Sequence, residues 1–463
     1  MASKEIKKLR DFPSVEELLQ EKQLATAFRE IPRPVAARLV KAAIAENKRI
    51  FRKGEGKVTV SSLKDHIRQA VLQAARREIR RVINGTGIVV HTNLGRAPLP
   101  ESLFEAIKQT VTGYGNVEYD LAGGRRGNRG EACEEYLSVL AGSEAATVVN
   151  NCAAALFLIL NTLANRKKVL ISRGDLVQIG GGFRIPDILK RSGARLSEVG
   201  ATNITTIDDY RNGIDPATKI ILRVHKSNFV QAGFTEETPL KDLIALGREH
   251  DLNVVNDLGS GVLIPTRSIL GHGEPTVQQS VQTGADLTCF SGDKMLGGVQ
   301  SGLIVGSKNL IGRIKKNPLF RTMRVDKIVF AALERLFTIY LNDSQATDIK
   351  LWKILSTPES ELYARGRSIL KKLGNPTGLS VEATGVYVGG GALPESALPS
   401  VGIIFSPPFK ATRLVGKFRA LDTPIIGRVE DDRFIIDLKA IDVSDFEYLT
   451  KAIKEVIALE SPA

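Results

Sequence analysis

The chain has 463 residues and a net charge of +13 at neutral pH, with 43% hydrophobic and 25% charged residues. This composition is ordinary for a soluble globular protein, and the length predicts two or three domains. The apolar runs are too short to cross a bilayer, and no apolar stretch follows the charged first residues, so neither a membrane span nor a signal peptide is expected.

The cysteines carry information about compartment and metal chemistry. Cys133, Cys152 and Cys289 are odd in number and far apart. This pattern argues against a disulfide framework and predicts a reducing cytoplasm. The sequence has no Cys-x-x-Cys or His-x-x-x-His spacing, so no structural zinc site is expected.

The positive charge is concentrated at the start of the chain. Residues 1–81 hold 20 Lys and Arg against 10 Asp and Glu, whereas the remaining residues hold 44 against 41. One interpretation is a soluble helical arm with basic surfaces. The other is a polyanion-binding module attached to a nearly neutral body.

Three helices are predicted in this basic region, over residues 14–30, 35–49 and 63–82. Ser14 caps the first, and two prolines separate it from the second. The third helix ends in a cluster of arginines, which are Arg76, Arg77, Arg80 and Arg81. No β pattern precedes Val82, so residues 1–82 are predicted to form an all-α domain.

From Ile83 onward the pattern changes to apolar β-branched runs that alternate with helical stretches. Such runs occur at 146–149, 168–171, 219–224, 253–256 and 302–305. Near-continuous Val and Ile strands between helices predict a buried, mostly parallel sheet. We therefore predict an α/β domain over 83–335 and a small α+β domain over 336–463.

Three segments of the α/β region suit an anionic ligand. Arg96, which ends a polar segment with an apolar centre, is a candidate anion ligand or a turn arginine. Asn151, Cys152 and Ala153 follow the strand at 146–149 and open a helix, whose first N–H groups suit a phosphate. Gly181 lies in a Gly-Gly-Gly turn that permits close backbone approach. An ordinary turn or a flexible loop explains the last two segments equally well.

The strongest chemical prediction comes from two strand ends. Asp257 ends the apolar run 253–256, and Lys294 lies in Ser-Gly-Asp-Lys-Met-Leu-Gly-Gly. Taken alone, Asp257 is explained equally well as a turn aspartate, and Lys294 as a surface lysine. Together they match the way in which enzymes hold pyridoxal 5'-phosphate, with Asp on the ring nitrogen and Lys on the aldehyde. Ser291 adds a hydroxyl for the phosphate.

Residues 315–324 hold a further group of cations that includes Arg321 and Arg324. A solvated helix edge is the simple explanation for them.

Several motifs together resemble the bacterial selenocysteine synthase family, the L-seryl-tRNA(Sec) selenium transferases. The similar segments cover nearly the whole chain: NGTGIVVHTNLGRAP (84–98), YDLAGGRRGNRG (119–130), GGFRIPDI (181–188), HKSNFVQAG (225–233), NDLGSG (256–261), SGDKMLGG (291–298) and GGGALP (389–394). One departure is Cys152, where the family commonly has asparagine.

The resemblance implies a fold type I pyridoxal phosphate enzyme that converts seryl-tRNA(Sec) to selenocysteinyl-tRNA(Sec). It implies that Lys294 is the Schiff-base lysine and that His225 and Gly181 belong to the cofactor site. It also implies that the N-terminal domain binds tRNA(Sec). It further implies a homodecameric ring, a pentamer of dimers. The residues that it assigns to the anionic donor, selenophosphate, are Arg96, Arg321 and Arg324.

Two alternatives remain open from the residues. A pyridoxal phosphate lyase that acts on a small amino acid or amino sugar phosphate would share the core, but it would not need a basic helical domain. A non-catalytic RNA-binding protein on a relict fold would not need Lys294, Asp257 and the glycine-rich turns.

Overall fold

A computed structural model describes residues 5–54, 56–75, 77–179, 183–226, 229–271, 273–389 and 397–460. Gly181 and Arg76 lie outside these ranges. The chain divides into two compact units, 1–82 and 83–463. Within the described ranges, no helix combines the length and the apolar character that a membrane span requires.

The first unit is built from helices. They are α1 (Val15–Leu19), α2 (Ala25–Phe28), α3 (Arg33–Lys53) and α4 (Val60–Ala75). The apolar faces of α3 and α4 meet in one core that contains Val40, Leu63 and Ile67. The cations of these helices are therefore left on the outside of the unit.

Two predicted helices of this unit differ from the observed ones. The predicted helix 14–30 is interrupted after α1, because the polar residues 20–23 turn the chain so that Leu24 becomes fully buried. The predicted helix 63–82 ends at Ala75, soon after its last buried residue, Val71. Beyond that point, Arg77 and Arg81 would be an i,i+4 pair of like charges, which disfavours a helix.

The second unit contains the strands. They are β1 (Ile83–Asn84), β2 (Tyr119–Asp120), β3 (Arg125–Arg126), β4 (Ala145–Val149), β5 (Lys168–Ser172), β6 (Gln178–Ile179), β7 (Phe183–Arg184), β8 (Arg195–Val199), β9 (Ile204–Thr205), β10 (Thr218–Val224), β11 (Glu236–Glu237), β12 (Asn253–Gly259), β13 (Leu287–Ser291), β14 (Gly302–Gly306), β15 (Leu379–Val386), β16 (Leu398–Phe405), β17 (Ile425–Ile426), β18 (Arg428–Glu430) and β19 (Arg433–Asp437).

Helices of the second unit pack against its sheets. They are α5 (Glu101–Thr112), α6 (Glu131–Ala141), α7 (Cys152–Ala164), α8 (Ile185–Arg191), α9 (Ile207–Gly213), α10 (Leu240–Glu249), α11 (Arg267–Leu270), α12 (Val277–Thr283), α13 (Lys308–Lys316), α14 (Pro318–Thr322), α15 (Lys327–Leu341), α16 (Gln345–Asp348), α17 (Lys350–Ser356), α18 (Glu359–Lys372), α19 (Ala411–Ala420) and α20 (Phe446–Ala458).

The central sheet has seven strands in the order β4-β14-β13-β12-β10-β5-β8. All neighbours are parallel except β14, which runs antiparallel to β13 and β4. The predicted apolar runs coincide with β4, β5, β10, β12 and β14. Because β10, β12 and β13 are adjacent and parallel, their carboxyl ends meet at one edge, where α/β folds place ligands.

A second, antiparallel sheet of four strands, β15-β16-β19-β18, lies near the end of the chain. Its core includes Phe405, Phe418 and Phe434. Strand β1 pairs in parallel with β17, which ties the start of this unit to its C-terminal part. The predicted boundary between residues 335 and 336 falls inside α15, and the division into 83–335 and 336–463 stays a prediction.

Candidate active site

Two neighbouring strands bring Asp257 and Lys294 to the same edge of the sheet. Asp257 lies on β12 and pairs in register with Cys289 of β13. Lys294 follows β13, in a turn fixed by hydrogen bonds from Met295 N to Ser260 O and from Gly297 N to Lys294 O. Asp257 and Lys294 are 7% and 4% exposed, so both charged groups are held away from bulk water.

A glycine makes this close approach of the two strands possible. Gly261 has φ +75°, and a Cβ there would lie 2.5 Å from the carbonyl oxygen of Ser291. The glycines that the sequence places around Asp257 and Lys294 therefore serve backbone packing, and they leave the two side chains free to face one space.

That space is a cavity of about 310 Å³, at the lower end of the range of roughly 300–1,000 Å³ that ligand sites occupy. Most of the predicted site residues of the described chain meet here. The cavity is lined by Arg96, Asn151, Cys152, Ala153, Leu156, Asp257, Gly259, Ser291, Asp293, Lys294 and Gln300.

The start of α7 forms one wall of the cavity. The Asn151 side chain caps this 13-residue helix by accepting a hydrogen bond from Ala154 N at 2.8 Å. The first N–H groups of a helix have no intrahelical acceptors, and the helix dipole favours an anion beside them. Cys152 and Ala153 therefore bring a helix N-terminus, which suits an anion, to the same cavity that Lys294 and Asp257 line.

Burial sets the protonation of the two central groups. It raises the pKa of Asp257, against the opposing effects of Lys294, Cys152 and Cys289. It lowers the pKa of Lys294, against the attraction of Cys152 and Asp257. The lysine is therefore more readily a neutral, nucleophilic amine than an ordinary lysine, and the aspartate is a carboxylate that lacks solvation and favours a cationic partner.

Arg96 is held at the cavity by the residue next to Lys294. Its Nη1 donates to Oδ1 and Oδ2 of Asp293 at 3.0 and 3.2 Å, and Ala97 N donates to Asp293 O. Arg96 has a φ of +65°, so a left-handed turn directs it to this position. Asp293 is not among the predicted site residues, although its position beside Lys294 was a usable signal.

The other two predicted donor-binding arginines lie elsewhere. Arg324 lines a separate cavity of about 230 Å³, with Nη1 3.8 Å from a carboxylate oxygen of Glu118 and its guanidinium over the ring of Phe320. Arg321 is exposed on α14. Neither belongs to the lining of the cavity that contains Arg96, so a single described chain does not bring the three arginines together.

His225 lies beside the cavity, outside its lining. Its backbone N donates to Asp257 O, and its Nε2 is 3.1 Å from Oε2 of the buried Glu274. Glu274 is not among the predicted site residues either, because nothing in its local sequence indicates a contact with a histidine. Gly181, the remaining predicted cofactor residue, lies outside the described residues.

Comparison with known proteins places the chain in a family. The model of the L-seryl-tRNA selenium transferase family matches residues 82–442. The chain belongs to this family. It is 40% identical to the L-seryl-tRNA(Sec) selenium transferase of Geotalea daltonii, over 97% of this chain and 99% of that one. It is 45% identical to that of Desulfotalea psychrophila, over 83% and 85%.

The fold is also found in a more distant protein. A solved structure of D-glucosaminate-6-phosphate ammonia-lyase matches with a TM-score of 0.58 and 17% identity, covering 82% of this chain and 96% of that one. This likeness shows the fold alone. It confirms the predicted fold class, the α/β fold of type I pyridoxal phosphate enzymes, and it gives no support to a lyase activity.

Pyridoxal phosphate is the cofactor that this family and fold imply, and the cavity fits it. A buried lysine with a lowered pKa, a buried carboxylate and a helix N-terminus line one space. These groups suit the aldehyde, the ring nitrogen and the phosphate of the cofactor, respectively. Lys294, Asp257 and the start of α7 are the residues that would hold it.

Proposed function

We propose that the protein converts seryl-tRNA(Sec) to selenocysteinyl-tRNA(Sec), with selenophosphate as the selenium donor and phosphate as the second product. The observation that carries this proposal is the single cavity that Lys294, Asp257 and Arg96 share. The selenium transferase family supplies the substrate class. A small-molecule lyase and a non-catalytic RNA-binding protein each account for only part of this combination.

The residues of the cavity have separate tasks. When bound, pyridoxal phosphate withdraws electron density from the seryl Cα. The Lys294 amine takes the Cα proton, and its lowered pKa favours the neutral amine that this step needs. Asp257 would stabilise positive charge on the ring nitrogen. Protonated Lys294 gives the proton to the departing β-hydroxyl, which leaves as water. The donor's selenium bonds to the β-carbon and its proton passes through Lys294 to Cα, and water then cleaves the phosphorus–selenium bond to give phosphate.

Arg96 is the proposed contact for the donor. The seryl carboxylate is esterified to tRNA, so the substrate needs no carboxylate-binding arginine. A planar guanidinium is therefore available for the phosphate-like donor. Asp293 orients Arg96 and balances its charge until the donor arrives. For Arg321 and Arg324, a donor contact remains a proposal that belongs with the proposed ring of dimers.

The first unit is the proposed tRNA contact. Residues 1–81 hold 20 cations against 10 anions, and nine of these cations lie on α3 and α4, whose apolar faces are already buried. Arg77, Arg80 and Arg81 are exposed at its end. Phosphate contacts from such residues supply most of the affinity for a nucleic acid. The free cysteines of the described chain agree with a reducing, cytoplasmic location, which is likewise proposed.

One experiment tests the function directly. The full chain is incubated with seryl-tRNA(Sec), pyridoxal phosphate and selenophosphate, and the aminoacyl group is released and identified by mass spectrometry. Selenocysteine is the expected product, and its absence with a fully loaded enzyme would refute the proposal. Release of pyruvate without selenium incorporation would indicate a lyase.

A further inference from the structure

Three soft or acidic ligand atoms meet beside the cavity, and two of them belong to residues that line it. The thiols of Cys152 and Cys289 and a carboxylate oxygen of Asp257 all lie within 4.8 Å of one another. The Cys152 Sγ is 3.5 Å from Asp257 Oδ1. The sequence spacing predicted no metal site because the two cysteines are far apart in the chain. The fold brings them together, since α7 begins beside β13 and β12.

These distances suit a tetrahedral cation with sulfur ligands. Zinc–sulfur and zinc–oxygen bonds of about 2.3 and 2.1 Å place neighbouring ligand atoms roughly 3.6–3.8 Å apart. The observed 3.5 Å between Cys152 Sγ and Asp257 Oδ1 is already close to that separation. Small side-chain rotations within the 4.8 Å cluster would bring all three atoms to one ion.

The cavity provides an entry path and an open coordination position. Cys152 and Asp257 line it, so an ion can reach them from the side where a fourth ligand, water, would bind. Cys152 is the first residue of α7, so its side chain lies at the cavity and not within the packed body of the helix. Lys294 and Arg96 line the same cavity and oppose a cation, which restricts the site to soft ions that bond strongly to sulfur.

We propose that Cys152, Cys289 and Asp257 of the cofactor-free chain bind one soft divalent cation, Zn²⁺ or Cd²⁺, and that this cation and pyridoxal phosphate exclude each other. Coordination releases the two thiol protons to solvent. The exclusion follows from Asp257, because one carboxylate cannot serve a metal ion and the ring nitrogen together. This second part rests on the proposed cofactor role of Asp257, whereas the first part does not.

The test uses the full-length chain, stripped of cofactor and kept reduced by a non-thiol reductant, and Cd²⁺ as the probe. The expected result is an ultraviolet thiolate-to-cadmium charge-transfer band that saturates at one equivalent. Cys152→Ser should lower the cadmium affinity at least about tenfold, since even outer-shell changes at metal sites cost 10–100-fold. An absent band, or an unchanged affinity in Cys152→Ser, would overturn the proposal.

Cys133 provides the matched control. It is a free, fully buried cysteine on α6, in a different part of the core. Cys133→Ser should leave the cadmium band unchanged. Because Cys289 is fully buried, its replacement would disturb the core, and the half-buried Cys152 is therefore the deciding position.

The exclusion is measured separately, by adding pyridoxal phosphate to the cadmium-loaded chain and following the visible absorbance of the bound cofactor. We expect that absorbance to be suppressed until a chelator removes the cation. Simultaneous binding of both ligands would overturn the exclusion. Neither measurement uses tRNA or a selenium donor, so failure here is distinguishable from failure of the proposed function.

Discussion

At the scale of single residues, the proposed chemistry depends on the amine of Lys294. Lys294 as a whole is 4% exposed, and burial lowers the pKa of its amine. Lys294→Ala should abolish turnover and the visible absorbance of bound cofactor, because Lys294 is the only lysine in the described lining of the cavity and is the proposed partner of the aldehyde. Affinity for seryl-tRNA(Sec) should change less than about twofold, since phosphate contacts elsewhere dominate it. Single-turnover assays and filter binding measure the two effects.

A second buried lysine serves as the control for this variant. Lys439 is 6% exposed, burial also lowers its pKa, and its Nζ donates to the carbonyl oxygen of Thr357. Lys439→Ala should lower the melting temperature but retain the cofactor absorbance. If both variants lost the absorbance equally, the effect at Lys294 would be structural and the proposed covalent role would fail.

Asp257 is expected to lower the stability of the cofactor-free chain while it strengthens the binding of the cofactor. Burial raises its pKa above the ordinary value of 3.8, so between pH 3.8 and the folded pKa the folded chain binds more protons than the unfolded chain. The free energy of unfolding therefore falls as pH rises through that window, and the loss persists above it. Asp257→Asn removes the loss.

Cofactor-free Asp257→Asn should consequently melt at a higher temperature than the cofactor-free wild type at neutral pH, and this advantage should disappear below pH 3.8. Its affinity for pyridoxal phosphate should fall at least about tenfold, because a charge-assisted hydrogen bond contributes roughly 1.5–3 kcal/mol. Calorimetry at several pH values and absorbance titration measure both. Equal melting temperatures at all pH values would contradict the assigned cost of burial.

The residues that sequence reasoning found and missed differ in a physical way. Lys294 and Asp257 stand among glycines at the ends of apolar runs, so their local sequence marks them. The importance of Glu274 comes from its contact with His225, which lies 49 residues away in the sequence. Its own neighbours in the sequence therefore do not mark it. Arg321 and Arg324 form part of a visible cationic cluster, but local charge does not determine which cavity an arginine lines.

At the scale of elements, the start of α7 depends on β14 packing directly beneath it. A Cβ at Gly302 would lie 2.0 Å from the carbonyl oxygen of Asn151 and 2.3 Å from its carbon. Gly302→Ala should therefore displace the helix start, destabilise the chain by about 1–3 kcal/mol, and weaken binding of pyridoxal phosphate. Denaturant unfolding and absorbance titration measure the two effects.

Gly312 is the matched control for Gly302. It lies within α13, and a Cβ there would meet no atom within 4 Å. Gly312→Ala should be neutral or stabilise the chain by up to about 1 kcal/mol, since alanine favours a helix over glycine. A Gly302→Ala variant that behaved like Gly312→Ala would show that the helix start tolerates displacement.

Elements were predicted best where burial alone determines them. The apolar runs that became β4, β5, β10, β12 and β14 are buried on both faces, so their composition suffices. The helices of the first unit were harder, because their ends depend on where the shared core stops. α4 ends at Ala75, the last of its residues that packs against that core, and the like charges of Arg77 and Arg81 disfavour a longer helix.

At the scale of the whole molecule, the two units differ sharply in net charge. The second unit is nearly neutral, while the first carries twice as many cations as anions in 1–81. Replacing Arg76, Arg77, Arg80 and Arg81 with glutamine should weaken tRNA binding and reduce the slope of log affinity against log salt by up to about one per lost phosphate contact.

The control removes the same charge from the second unit. Lys371, Lys372, Lys410 and Lys454 are exposed there, and their replacement with glutamine changes the net charge equally. If tRNA affinity responded only to net charge, both quadruple variants would lose the same slope. A local contact at the end of the first unit predicts a loss of slope in the arginine variant alone. An unchanged slope in that variant would remove the arginine cluster from the proposed tRNA interface.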